Sequence, residues 1–209
     1  MSLFKHKEPK VRDPFDFAIK IPDGWCAHSP DPDPVVQTET TEAAVDQMIR
    51  EEPILGEARA AIIDRMLGFA REANEKGAMA AASLWTVVEG TEAAANMMVF
   101  SDPRDAAQSI EASVAELERQ LSTADPNDVK DREVSVVDLA GGTAVRLRVL
   151  TRMPSEDDEP ALVLEMVQHW LPVPDAGHNL IVSCITPCIV YGDELAAVFD
   201  SIAQSLELT

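Results

Sequence analysis

The sequence predicts an α+β protein, an antiparallel sheet of about six to seven strands flanked by helices. Runs that alternate apolar and polar residues come in pairs joined by short glycine-bearing turns, the pattern of β-hairpins. Three longer segments repeat apolar residues at the 3.6-residue period of amphipathic helices. These helices lie outside the hairpins instead of alternating with single strands, which argues against a doubly wound nucleotide-binding arrangement.

Residues 1–12 form a basic tip in which Lys5, Lys7, Lys10 and Arg12 face Glu8 alone, and a frayed, mobile terminus is expected there. Residues 13–209 are expected to form a single domain. Within it, Phe15, Phe17, Ile19 and Ile21 alternate with Asp16, Ala18 and Lys20, which predicts a half-buried strand. Pro22-Asp23-Gly24 supplies a turn and Trp25 a core anchor. The alternate prolines of HSPDPDPVV (28–36) forbid helix. A polar, partly helical insertion follows around 37–52. A first long helix is expected over Pro53–Glu75, with Leu55, Ile62, Met66 and Phe69 in its apolar stripe and Gly77 just past its end.

Two strands, Ala78–Glu89 and Ala93–Phe100, are expected to turn at Glu89-Gly90-Thr91. Ser101-Asp102-Pro103 offers capping groups for a second helix over Arg104–Ser122, which buries Ile110, Val114 and Leu117. Strands Glu133–Leu139 and Thr143–Met153 flank Gly141-Gly142, a strong hairpin signal. SEDDEP (155–160) is an acidic turn into a strand over Ala161–Leu171, and PVPDAGH (172–178) turns into Asn179–Thr186. A last helix, Asp193–Leu206, places Leu195, Phe199 and Ile202 on one side.

Charge narrows the function classes. The chain carries 17 Lys and Arg against 37 Asp and Glu, a net charge of −20 at pH 7. Phosphate backbones and anionic membranes repel such a surface, so neither nucleic acid nor membrane is expected as a partner. The opening MSLFKHKEPKVRDP has no apolar run of even seven residues, and no secretory leader is expected. No run approaches the ~20 apolar residues that span a bilayer. Three cysteines without framework spacing suit reduced thiols, so the expected compartment is the cytoplasm.

The stretch VQHWLPVPDAGHNLIVSCITPC (167–188) gathers two histidines and two cysteines. A zinc site would recruit His169, His178, Cys184 and Cys188, but the cysteines stand roughly 13 Å apart in extended chain and no C-x-x-C turn is present. A hairpin is the better reading. Cys188 lies near the start of the last helix, yet the neighbouring Asp193 and Glu194 oppose a thiolate, and Cys26 with His28 lacks an orienting group. DPDP (31–34) and SEDDE (155–159) do not follow a calcium-loop register. Serine-hydrolase, phosphate-loop and dinucleotide signatures are absent from the sequence. No catalytic residue, cofactor or metal is therefore expected.

One feature runs against the global charge. In TAVRLRVLTR (143–152), Val145, Leu147 and Val149 occupy one strand face while Arg146, Arg148 and Arg152 occupy the other. Three guanidinium groups on an acidic protein suit recognition of an acidic ligand or partner. Pairing with Glu133, Glu165 or an acidic helix is the simpler account. Candidate binding residues are thus Arg146, Arg148, Arg152, His169 and Trp170, with the face of His169 left open by the hairpin register. Met97 and Met98, with Met79, Trp85, Met153 and Met166, suggest an adaptable groove, although adjacent strand residues cannot share one face.

IPDGW (21–25), GGTAVRLR (141–148), HWLPVPDAGHNLIVSCITP (169–187) and ELAAVFDSIAQSL (194–206) together resemble the Mog/PsbP-like superfamily, in the form of an actinobacterial, LpqN-like cytoplasmic member. The resemblance implies an α/β/α sandwich and a non-enzymatic role. The expected function is an intracellular protein-binding module, adaptor- or chaperone-like, whose partner is another protein such as a secreted effector or a complex subunit, with homodimerisation as a further option. The alternatives are a small-ligand or carbohydrate-binding module that stacks on Trp25, Trp85 or Trp170, and an enzyme of unrecognised type.

Overall fold

A computed structural model describes residues 15–28, 34–130, 132–153 and 161–209. The basic tip and most of the DPDP and SEDDEP segments lie outside the described residues. Seven strands form one antiparallel sheet: β2 (Trp25–His28), β3 (Ala80–Val88), β4 (Thr91–Pro103), β5 (Glu133–Leu139), β6 (Gly142–Met153), β7 (Leu162–Val173) and β8 (His178–Thr186), in the spatial order β2-β3-β4-β8-β7-β6-β5. Two short strands, β1 (Phe17–Ala18) and β9 (Glu207–Leu208), pair separately. The helices are α1 (Pro34–Glu51), α2 (Arg59–Glu75), α3 (Ile110–Leu121) and α4 (Gly192–Gln204), with 3₁₀ turns at Pro53–Ala58 and Ile189–Tyr191.

Strand alternation divides the core into two layers. On one face, Ala82, Met97, Val99, Leu180, Val182 and Cys184 pack under Leu195, Phe199 and Ile202 of α4. On the other, Cys26, Trp85 and Val87 meet α1 and α2, Ala81 and Met98 meet Phe69 of α2, and Val145 and Trp170 meet α3. Met97 and Met98 thus face opposite layers, as adjacent strand residues must. Trp25 reaches α4 edge-on, its ring 6.3 Å from that of Phe199.

The β3–β4 turn forms where expected. Val88 pairs with Thr91, and the two intervening residues, Glu89 and Gly90, have φ of 50° and 81°, the backbone a tight hairpin of this hand requires.

Four elements differ from the sequence expectation. The alternating run over 15–21 contributes only Phe17–Ala18 as strand, paired with the C-terminal β9; its apolar side chains pack on the α4-side core instead of joining the main sheet. Trp25–His28 is itself an edge strand, because β3 offers it a free flank. The segment from Pro34 is a full 18-residue helix that buries Gln37, Thr41, Val45 and Met48, and Pro53 starts a 3₁₀ turn before α2 begins at Arg59. Finally, Ser101-Asp102-Pro103 does not cap a helix. Pairing of Asp102 with Asn179 and of Pro103 with His178 extends β4, and Ser109 is the cap, its Oγ accepting from the Ala112 amide at 3.2 Å.

Because Phe199 is fully buried where β2 and α4 meet, Phe199→Ala should lower stability by about 3–5 kcal/mol. Chemical denaturation of the purified variant should show an earlier midpoint; an unchanged midpoint would contradict this packing.

Candidate binding site at the start of helix α4

Arg146 pairs with His169 across β6 and β7, so the register puts both on the α4 face of the sheet. Arg148 lies two residues along on the same face. The structure therefore brings Arg146, Arg148 and His169 together. It does not bring Trp170 to them, since Trp170 faces α3 and packs with Val114, Leu117 and Val145. Arg152 lies near the end of β6, exposed, its backbone N–H donating to the Asn127 carbonyl at 2.8 Å.

Two carboxylates of α4 and one of β7 meet these cations. Arg146 Nε donates to Asp200 Oδ1 at 2.7 Å, and His169 Nε2 lies 3.1 Å from the same oxygen. His169 is buried, its Nδ1 has no hydrogen-bond partner among the described residues, and its Nε2 faces Asp200. Burial alone would raise the Asp200 carboxyl, but hydrogen bonds from His169 and Arg146, aided by their charge, outweigh it and hold its pKa at about 2.

The second cluster centres on Arg148. Its Nε donates to Glu165 Oε1 at 2.5 Å and its Nη2 to Asp193 Oδ1 at 2.6 Å. Glu165 is 3% exposed, a carboxylate set into the sheet with a single guanidinium for company, whereas Asp193 is freely solvated. Gly192 makes this possible: a Cβ there would stand 2.0 Å from Glu165 Oε2. Only glycine lets α4 start directly over the buried carboxylate.

Beside this cluster lies an open cavity of 390 Å³, lined by Lys130, Glu133, Arg148, Glu165 and the first residues of α4. Ile189 and Val190 line the same cavity, and Val190 is 85% exposed. Met153 and Leu162, a cross-strand pair at this end of the sheet, are also about half exposed. Val129 belongs to the same end, its amide bonded to Leu150, which lines the cavity. Sequence reasoning pointed to the arginines and missed this apolar rim, because single exposed Val or Ile residues carry no periodic signal.

The other chemistry candidates fall apart in space. Cys184 is fully buried beneath α4 and its thiol is pushed up by burial; Cys26 is raised for the same reason. Cys188 sits before the 3₁₀ turn, its Sγ accepting from the Ala94 amide. His178 is at the opposite end of β8, with Nδ1 2.7 Å from the Ala176 carbonyl. No group of three His, Cys, Asp or Glu residues able to hold a metal occurs among the described residues. His28 Nε2 lies 2.9 Å from Ser83 Oγ, but Ser83 donates onward to Asn96 Oδ1, and burial lowers the His28 pKa to about 4. A serine whose proton is already given to an amide is not an activated nucleophile. No helix among the described residues is long and apolar enough to cross a membrane.

No protein-family model matches the sequence, and a search of curated proteins returns no match.

Two outcomes follow for the site. Gly192→Ala should displace Glu165 or the start of α4 and lower the melting temperature, whereas the same change at Gly68, where a Cβ meets nothing, should not. Asp200 in the folded protein lies below the ordinary carboxyl value of about 3.9. Its contribution is complete above about pH 4 and is lost as pH falls towards 2. Urea midpoints measured across that range should fall with acid for the native protein, and Asp200→Asn should flatten part of that fall while lowering stability at neutral pH.

Proposed function

We propose that the protein is a non-enzymatic binding module whose partner is another protein, docked at the sheet end beside the start of α4. The observation that carries the reading is exposed Ile189 and Val190 lining a charged cavity, with a second exposed apolar pair, Met153 and Leu162, at the same end of the sheet. An apolar patch bordered by charges is the composition of protein interfaces, where buried aliphatic side chains supply affinity and charged groups set orientation. The buried, raised thiols of Cys26 and Cys184 and the donated proton of Ser83 favour binding over catalysis. The layout resemblance to Mog/PsbP-like proteins points the same way by analogy alone. On this reading the partner covers the rim, and Arg148 acts as a fixed charge at the cavity floor. The −20 charge favours a partner with a basic face and makes association salt-sensitive.

Arg146 and Arg148 are already tied to Asp200, Glu165 and Asp193, so reversing them is a poor probe of docking. Loss of the Arg148 guanidinium would leave Glu165 buried and unpaired, at a cost of about 2–3 kcal/mol given the partial solvation of the pair. Val190→Asp is the sharper test because nothing inside the fold depends on it. Crosslinked affinity capture from host lysate should retain one dominant protein with the native chain, and Val190→Asp should weaken it about tenfold. Val136→Asp, exposed on β5, should leave it unchanged. Retention by Val190→Asp rejects the docking surface; repeated capture of nothing rejects the protein-binding reading.

A further inference from the structure

The cavity beside α4 carries more acid than base. Among the described residues, Glu133, Glu165, Asp193 and Glu194 line it against Arg148 and Lys130. Arg148 is already neutralised, with Glu165 on its Nε and Asp193 on its Nη2. Glu133 and Glu194 are exposed, and neither makes an ion pair with a described residue. Lys130 is exposed and likewise unpaired among the described residues, so it leaves those carboxylates without a counter-charge. The start of α4 opposes a cation through its backbone dipole, but Asp193 and Glu194 in the first turn offset that.

Glu165 adds an acceptor from below. Its Oε1 takes the bond from Arg148, and Oε2 accepts from no described residue. Glu165 is 3% exposed, yet Oε2 is not sealed from water as the unpartnered Nδ1 of His169 is. An ionised carboxylate has about four acceptor sites, so one bond leaves capacity to spare. The cavity that Glu165 lines is the route to it.

The walls select what can enter. An acidic segment would meet four carboxylates, whereas a cation would meet acceptors that the fold leaves unused. Ile189 and Val190 line the same space and offer apolar surface to the stem of a long side chain. Arginine combines such a stem with a planar fork that matches carboxylates, which the point charge of lysine does not. The volume of 390 Å³ falls within the ~300–1,000 Å³ of ligand sites and has room for that side chain. On the reading that a partner protein docks at this end of the sheet, on which this inference rests, we propose that the partner's anchor is an arginine flanked by apolar residues. Its guanidinium enters the cavity to meet Glu133, Glu194 and the spare oxygen of Glu165, and its apolar neighbours cover Ile189 and Val190.

Titration of full-length chain labelled with ¹⁵N-valine tests this with three capped peptides: acetyl-Leu-Arg-Leu-amide, its citrulline counterpart and its glutamate counterpart. The Val190 amide signal, identified by its loss in Val190→Ile, is the reporter. The arginine peptide should shift it saturably and bind about tenfold or more tightly than the citrulline peptide, which keeps the shape without the charge. The double variant Glu133→Gln/Glu194→Gln should weaken the arginine peptide about tenfold without lowering the melting temperature, since both side chains are exposed. The proposal is overturned if the arginine peptide gives no saturable shift, if the citrulline or glutamate peptide binds as tightly, or if the folded double variant binds as the native chain does. In capture from lysate, a partner lost with Val190→Asp but retained by Glu133→Gln/Glu194→Gln rejects the arginine anchor and leaves the docking surface standing.

Discussion

The pairing of Arg148 with Glu165 governs how the α4 layer is assembled. Glu165 places a carboxylate on the face of a sheet strand where its neighbours Val167 and Leu171 are buried and apolar. A helix can close over that carboxylate only if it is neutralised and given room. Arg148 does the first, and the missing side chain of Gly192 does the second. With the start of α4 so placed, Asp200, two turns along, falls over Arg146 and His169, and Phe199 falls over Trp25. The N-terminal segment depends on this in turn. β9 follows directly from α4 and is the pairing partner of β1, the Thr209 amide bonds the Asp16 carbonyl, and the Lys20 amide bonds Ser205 Oγ. One end of the chain is therefore held by the other through a helix whose position is set by a buried ion pair.

Much of the sheet was legible in the sequence because hairpins declare themselves locally. Glu133–Leu139 has the bounds expected of it, β6 and β8 each begin one residue earlier than expected, and β7 starts one residue and ends two residues later. The failures share one cause, which is that local pattern does not say what an element pairs with. The 15–21 run has the alternation of a strand, yet the partner it finds is a two-residue tail nearly two hundred positions away. Ser101-Asp102-Pro103 has the composition of a helix cap, but β8 is long enough to draw it into the ladder.

The same limit applied to the site. Alternation placed three arginines on one face, and Glu165 was a foreseeable counter-ion. Whether His169 joined them rested on a register that the SEDDEP turn could not supply, and the pairing of Arg146 with His169 provides it. Asp193, Asp200 and Gly192 were beyond reach, since they arrive on a helix separated from β6 by two further strands. Trp170 and His169 were grouped by proximity in sequence, and the strand period separates them to opposite layers.

The two faces of the sheet treat buried polarity differently. Under α4, Arg146, Arg148, Glu165 and Asp200 are mutually paired, so their identities are accounted for by the docking of the helix and require no ligand. What the pairing leaves unexplained on that side is Nδ1 of buried His169, without a hydrogen-bond partner among the described residues, and the exposed apolar pair Ile189 and Val190. Across the sheet, the apolar groups are covered by α1, α2 and α3, whereas the amide of Asn179 is enclosed without a partner. Folding selects against both an exposed valine beside a cavity and a buried amide with no bond, though weakly in the first case and more strongly in the second. Residues that a fold would be as well or better without are the ones whose presence has to be accounted for by something outside it. By that criterion Arg146 and Arg148 are accounted for as the means by which α4 is held in place, whereas exposed Val190 and the unpartnered Asn179 amide oxygen are not accounted for by the fold.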